Sequence, residues 1–176
     1  KIISKRIAAG AKNFARTAAM TREEAARSIE AGIEVARELS DSTDVFGTGD
    51  MGIGNTTPSS AIVATLCNAP VTQVTGRGTG INTAQWQKKI AILQRALALH
   101  QPNANDALEV LAKVGGFEIG GIAGLILGAA AQRKPVLVDG FISTAGALLA
   151  QRLAPLSVEY MIAAHRSVEP GHTLAL

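Results

Sequence analysis

The sequence predicts an α/β fold, doubly wound, with a mainly parallel sheet and helices on both faces, a Rossmann-like core. Three observations predict it. Short β-branched runs alternate with longer segments of helical periodicity. Gly-rich turns follow those runs, as they do where strands feed helices. The stretch Phe117 to Ala131 is apolar nearly all round, the pattern of a helix buried on every side. With 176 residues, 47% of them hydrophobic, the chain is expected to form one domain over residues 1–176.

The elements follow in order. Thr21-Arg22-Glu23-Glu24 reads as a capping box, because Thr21 can accept from an amide three residues on and Glu24 can reach back. Ala25, Ile29, Ile33, Ala36 and Leu39 then recur at helical spacing, which predicts a helix over about 21–39. Val45-Phe46 is a short strand before the Gly-rich stretch from Gly47 to Gly54, and Ser59 to Leu66 is a helix. Val71 to Val74 reads as a further strand. Thr83 to Leu99 is helical through Trp86, Ile90, Leu93, Ala96 and Leu97. Asn105-Asp106 caps a short helix over about 107–114, which Gly115-Gly116 breaks. In the helix that follows, Gly120, Gly121, Gly124 and Gly128 suit close backbone packing. Pro135 to Asp139 is a buried parallel strand, Ser143 to Arg152 a helix, and Val158 to Ala164 a strand or short helix.

Composition narrows the function. The charge balance is 17 Lys+Arg against 14 Asp+Glu, a net +3, with eight of the basic residues in the first 40 and interleaved with five glutamates. That is a solvated helix face rather than a phosphate-tracking stripe. Six aromatics are too few for base-stacking platforms, so nucleic acid is not the expected partner. The longest uncharged apolar run, Ile119 to Ala131, is 13 residues, short of the ~20 that a membrane span needs. A single cysteine, Cys67, excludes an intrachain disulfide and a Cys-rich zinc site. A soluble, cytoplasmic protein is expected. The start at Lys1 without Met, and the apolar residues at the end, suggest part of a longer protein.

In parallel α/β folds ligands sit at the carboxyl ends of the strands. Four polar loops are expected there. In the first, glycines at 47, 49, 52 and 54 lead into Asn55-Thr56-Thr57-Pro58 and a helix. A helix N-terminus behind glycines can offer amides to a phosphate, while the plainer reading is a tight turn with a cap. It matches neither a Walker A loop nor G-x-G-x-x-G. In the second, Gly76-Arg77-Gly78-Thr79-Gly80 precedes a helix bearing Lys88 and Lys89, either solvated or turned toward a phosphate. In the third, Asp139 ends the buried strand, as a functional carboxylate or as the cap of the next helix. The fourth, His165-Arg166-Ser167-Val168-Glu169-Pro170-Gly171-His172, is dense in polar groups. Its spacing is not H-E-x-x-H, so no metal is expected, and no G-x-S-x-G elbow supports a serine triad.

Five motifs in order give the chain a family resemblance. They are Gly49-Asp50-Met51-Gly52-Ile53-Gly54-Asn55-Thr56-Thr57-Pro58, Gly76 to Gly80, Val114-Gly115-Gly116-Phe117-Glu118-Ile119, Val136-Leu137-Val138-Asp139-Gly140-Phe141-Ile142-Ser143 and Ala163 to His172. Met20 to Ala25 fits as well. The chain closely resembles the nicotinate-nucleotide:dimethylbenzimidazole phosphoribosyltransferase family, which assembles the lower nucleotide loop of cobalamin. The resemblance covers nearly all of this chain but only part of a family protein.

The resemblance implies transfer of phosphoribose from nicotinate mononucleotide to 5,6-dimethylbenzimidazole. The products are α-ribazole 5′-phosphate and nicotinate, formed with inversion at the anomeric carbon and without a metal or organic cofactor. It also implies a homodimer. Gly52, Gly54, Asn55 and Thr56 resemble part of the phosphate and ribose site, and Gly78 and Gly80 the second ligand loop. Lys89 would reach the phosphate, and Gly140 and Ser167 would add nucleotide contacts. Asp50 stands where the family usually has Glu, and is the one carboxylate within the chain offered as catalytic. The family's general base is a glutamate in a Gly-Glu-Gly-Thr-Gly stretch downstream of the segment matching Gly171 to Leu176. A truncated, non-catalytic nucleotide-binding homologue is the alternative, and a generic α/β enzyme for another phosphorylated metabolite is a third.

Overall fold

Three short parallel strands set the frame of the computed structural model, which describes residues 2–176. In chain order the elements are α1 (Arg22–Leu39), β1 (Phe46–Thr48), α2 (Thr56–Leu66), α3 (Val71–Val74) and α4 (Thr83–His100). There follow α5 (Ala107–Val114), α6 (Phe117–Ala131), β2 (Val136–Val138), α7 (Gly140–Leu153), β3 (Met161–Ala163) and α8 (Pro170–Ala175). The sheet order is β1-β2-β3, with Phe46 opposite Val136 and Val136 opposite Met161. The expected parallel α/β architecture is therefore present, with a small sheet and helices making up most of the mass.

Local chemistry accounts for the helices. Thr21 Oγ1 accepts from the Glu24 amide at 3.1 Å and Glu24 Oε2 from the Thr21 amide at 2.8 Å, closing the capping box. Asn82 and Gln85 form the same box at the start of α4, and Asp106 caps α5 through the Glu109 amide at 3.0 Å. The core gathers Ile62, Val63, Leu111, Ile119, Ile126, Val136 and Leu149, all fully buried.

One expectation is corrected. Val71 to Val74 is not a strand but a single helical turn. Pro70 starts it, its carbonyl accepting from the Gln73 amide at 2.9 Å. Val71 and Val74 are buried while Thr72 and Gln73 are exposed, so the apolar spacing is i, i+3, a helical repeat that β-branched side chains disguise. Helix starts also lie earlier than expected: α2 begins at Thr56 rather than Ser59, and α7 at Gly140 rather than Ser143. The segment from Val158 combines both readings left open for it. A 3₁₀ turn over Pro155–Tyr160 runs into β3.

The closest helix packing is between α1 and α6, and glycine makes it possible. A β-carbon at Gly124 would overlap the Ile29 carbonyl, and one at Gly120 the Ser28 hydroxyl. At Gly128 it would come within 2.7 Å of the Ala36 methyl. The two backbones thus touch where side chains would hold them apart. Gly124→Ala should destabilise the chain by about 1–3 kcal/mol, the usual cost of overpacking a close-packed core. A urea midpoint unchanged from the unsubstituted chain would show that α1 can move aside freely.

Candidate functional site

Because all three strands run the same way, their carboxyl ends and the loops that leave them share one edge of the sheet. The first loop leaves β1. Asp50 Oδ2 accepts from the Gly52 amide at 3.0 Å and from Asn55 Nδ2 at 3.2 Å, so the carboxylate folds the loop onto itself. Gly52 and Gly54 have φ of 88° and 91°, values that side-chain-bearing residues rarely adopt. No side chain caps α2 at Asn55, and Pro58 in its first turn has no N–H to satisfy. The amide end of α2 is therefore left open toward the loop.

The second loop faces that helix end. Lys89, on α4, donates from Nζ to Thr56 Oγ1 at 2.8 Å and to the Gly76 carbonyl at 3.3 Å. It is half-buried, and burial pushes its pKa below the ordinary lysine value, with Glu169 pulling the other way. The Gly78 amide donates to Glu169 Oε1 at 3.0 Å, while Glu169 Oε2 is buried without a hydrogen-bond partner among the described residues. Arg77 lies over the Trp86 ring at 5.6 Å and bonds the Ile81 carbonyl and Thr83, so it braces the loop. Trp86 in turn donates to the Thr75 carbonyl at 2.8 Å.

These loops enclose a cleft of about 350 Å³ lined by Gly52, Gly54, Thr56, Gly78, Lys89 and Glu169, with Met51 and Ile142 as apolar wall. A cavity of similar volume, about 360 Å³, lies elsewhere, between the arm at 3–10 and helices α1 and α6. It carries none of the glycine loops.

The third and fourth loops meet beside the cleft. Asp139 makes no side-chain cap to α7. Its Oδ1 instead lies 3.1 Å from His165 Nδ1. Gly140 has φ of 77°, and a β-carbon there would sit 3.6 Å from the His165 ring. The Ser167 hydroxyl accepts from the Glu169 amide at 3.1 Å, and the Ser167 amide donates to His172 Nδ1 at 2.8 Å. His172 is fully buried. His165 and His172 have ring centres 6.1 Å apart, edge to face. Among the described residues no group of three or more His, Cys, Asp or Glu side chains is placed to hold a metal ion.

Of the residues singled out in the sequence, Gly52, Gly54, Thr56, Gly78 and Lys89 line one cleft. Asp50 and Asn55 shape its first loop, and Gly80, whose amide bonds the Arg77 carbonyl at 3.1 Å, closes the second. Gly140 and Ser167 belong to the adjoining loops and do not line the cleft. Glu169 is the lining carboxylate to which sequence reasoning assigned no role. Its signal was weak, a glutamate before Pro-Gly in a polar loop, because its partner Gly78 lies 91 residues away.

A parallel sheet carries a polar cleft at its carboxyl edge, with an open helix N-terminus on one wall and a half-buried ammonium on the other, groups whose chemistry suits an anion. Comparison with known proteins is more specific. The chain belongs to the phosphoribosyltransferase family whose model matches residues 1–176. It is 63% identical over 176 residues to the nicotinate-nucleotide–dimethylbenzimidazole phosphoribosyltransferase of Syntrophotalea carbinolica, covering 100% of this chain and 50% of that one. Over 173 residues it is 57% identical to the protein of the same name from Chloroflexus aggregans, covering 98% and 49%. The crystal structure of CobT from Thermus thermophilus superposes with a TM-score of 0.93 at 42% identity, covering 99% of this chain and 52% of that one. The chain thus spans about half the length of the curated relatives it matches.

Proposed function

We propose that this chain is the nucleotide-holding core of an enzyme that moves phosphoribose from nicotinate mononucleotide to 5,6-dimethylbenzimidazole, giving α-ribazole 5′-phosphate and nicotinate. The observation that carries the reading is the pairing of Lys89 with the open start of α2 across the glycine loops. Thr56 joins the two, since its hydroxyl accepts a hydrogen bond from Lys89 while its backbone begins the helix. A dianionic phosphate seated there meets a full positive charge on one side and the helix dipole on the other. Small residues at 52, 54 and 78 leave the backbone free to approach it.

Phosphoribosyl transfer passes through an oxocarbenium-like state, so a protein gains most by fixing the phosphate and ribose and aligning the two bases. The cleft supplies the first part. Glu169 is the carboxylate of the cleft wall, with Oε1 holding the Gly78 amide. The attacking benzimidazole must also lose a proton. The family resemblance puts that base in the Gly-Glu-Gly-Thr-Gly stretch beyond the segment matching Leu176, and Asp50 is the carboxylate within the chain to set against it. A homodimer in the cytoplasm belongs to the same reading. The alternative reading is that these residues bind the nucleotide without turning it over.

Three expectations follow from this geometry. Replacing Gly54 with Val forces a β-branched residue to φ near 91° and pushes its methyls into the cleft. Calorimetry should show loss of most nicotinate mononucleotide affinity with the circular dichroism unchanged, and full affinity would remove this loop from the site.

Lys89→Met keeps the apolar stem and deletes the ammonium. A charge-assisted hydrogen bond contributes roughly 1.5–3 kcal/mol, so affinity should fall about ten- to a hundredfold. Lys88→Met, on the exposed side of α4, should change it little. Burial lowers the Lys89 pKa. The ammonium therefore attracts phosphate below that pKa, and the contribution is lost as pH rises through it, earlier than for an ordinary lysine. The Lys89→Met protein should lack this alkaline fall, and a matching fall in both proteins would assign it to another group.

Product formation followed by chromatography separates the two readings. The 176 residues alone should form α-ribazole 5′-phosphate at a rate lower by the 10²–10⁴-fold that a general base typically contributes, relative to a protein of its relatives' full length. Comparable turnover by the 176 residues, abolished in Asp50→Asn, would place the base at Asp50.

A further inference from the structure

We infer that His172 is a positioning residue for the nucleotide cleft, a neutral imidazole that straps the 165–169 loop to the start of α7 and, through Glu169, sets the Gly78 loop. The inference rests on the cleft being the mononucleotide site.

The hydrogen bonds fix the tautomer. The Thr144 hydroxyl donates to the Gly140 carbonyl at 2.8 Å. A hydroxyl has one proton, so toward His172 Nε2, 2.9 Å away, it must accept. Nε2 therefore carries the hydrogen. On the other side Nδ1 accepts from the Ser167 amide at 2.8 Å. Both ring nitrogens are thus committed to backbone-linked partners. A second proton, at Nδ1, would point at an amide hydrogen.

The consequence runs outward from the ring. Nδ1 holds Ser167, the Ser167 hydroxyl holds the Glu169 amide at 3.1 Å, and Glu169 Oε1 holds the Gly78 amide at 3.0 Å. The chain of contacts starts in the core and ends on the cleft wall. On the Nε2 side it ends at Gly140, which leaves β2 in the left-handed region. A histidine in a fully buried position costs desolvation that a leucine or phenylalanine would not. The two ring hydrogen bonds and the loops they join offset that cost.

Charges around the ring keep it neutral. Burial, then His165 and Arg166, all push the His172 pKa down. His165 is itself turned to Asp139, and Glu169 to the Gly78 amide. Helices α2 and α3, packed against α8, carry no titratable residue. The one titratable residue of α7, Arg152, lies in its last turn and bonds the Leu66 carbonyl. No carboxylate among these groups bonds the ring to draw a second proton onto it. Native His172 thus has a depressed pKa, so the strap is intact above the ordinary value near 6.5 and is lost as pH falls through the native one.

The test is calorimetric affinity for nicotinate mononucleotide in the 176-residue chain, with folding followed by circular dichroism. His172→Phe keeps the bulk and removes both bonds, and affinity should fall about tenfold, the scale of one hydrogen bond's net worth. His172→Asn restores an acceptor near Nδ1 for the Ser167 amide and should recover most of the loss. Because the phosphate also titrates near pH 6, the readout is the ratio of the unsubstituted protein to His172→Asn. That ratio should hold above neutrality and fall at acid pH. Should His172→Phe not fold, Thr144→Val, which removes the Nε2 partner and its bond to the Gly140 carbonyl but leaves the Ser167 amide on Nδ1, should give a smaller fall in the same direction. Unchanged affinity in the folded variants, or a ratio flat with pH, overturns the inference. If the unsubstituted chain does not bind the nucleotide, the functional reading fails by itself. The strap is then judged on amide exchange at Ser167 and Gly78, which His172→Phe must speed and which unchanged exchange would overturn.

Discussion

β2 pairs in parallel on both sides, with β1 through Phe46–Thr48 and with β3 through Met161–Ala163. Parallel pairing requires each strand to return by a crossover, so every strand delivers its carboxyl end to the same edge. Residues far apart in sequence then share that edge: the loop from 49, the turn at 139–140 and the loop from 164. The strands are only three residues each. The helices must therefore hold the sheet in place: α6, packed along α1 through its glycines, touches β1 and β2, and α7 touches β2.

With that frame set, the cleft is built mostly from backbone. Its charged groups are Lys89 and Arg77 with the amide end of α2 beside them and Glu169 opposing, and its shape comes from glycines at φ values that side chains avoid. Lys89 is not matched by a carboxylate in contact. Its two partners are a hydroxyl and a carbonyl, which orient the ammonium without neutralising it. Glu169 is near enough to favour the charge, but its hydrogen bond, through Oε1, goes to the Gly78 amide. The cation is thus held in a half-buried place with capacity left for an anion, a costly arrangement unless a ligand completes it.

Much of this was legible in the sequence, and the limits have physical causes. Helix starts marked by side-chain chemistry were read closely, because Thr21, Asn82 and Asp106 act on amides within three residues. Starts governed by backbone alone were placed three residues late at α2 and α7, since glycine and an uncapped asparagine give no local signal. Val71–Val74 was misread because β-branching suggests a strand, while a turn started by Pro70 and anchored at Val74 decides otherwise. The glycine loops and Lys89 were found because their chemistry is written in consecutive residues. Glu169 gains no role, and His172 none beyond the metal and triad readings set aside for its loop, because their partners Gly78 and Thr144 lie 91 and 28 residues away.

Burial acts on the two ionisable groups nearest this chemistry in the same direction and to opposite effect. It lowers the pKa of Lys89 and that of His172 alike, because both are bases whose charged forms lose hydration inside the protein. For Lys89 the charged form is the useful one under the proposed function, so burial narrows its range from the alkaline side. For His172 the neutral form is the useful one, so burial widens its range toward acid. A single physical cause therefore shifts the whole working window downward in pH. The arrangement also explains why the lysine stays at the cleft wall while the histidine sits in the core. A charge that must meet a ligand has to stay partly in contact with solvent, whereas a neutral imidazole can be buried once both of its ring nitrogens are hydrogen-bonded.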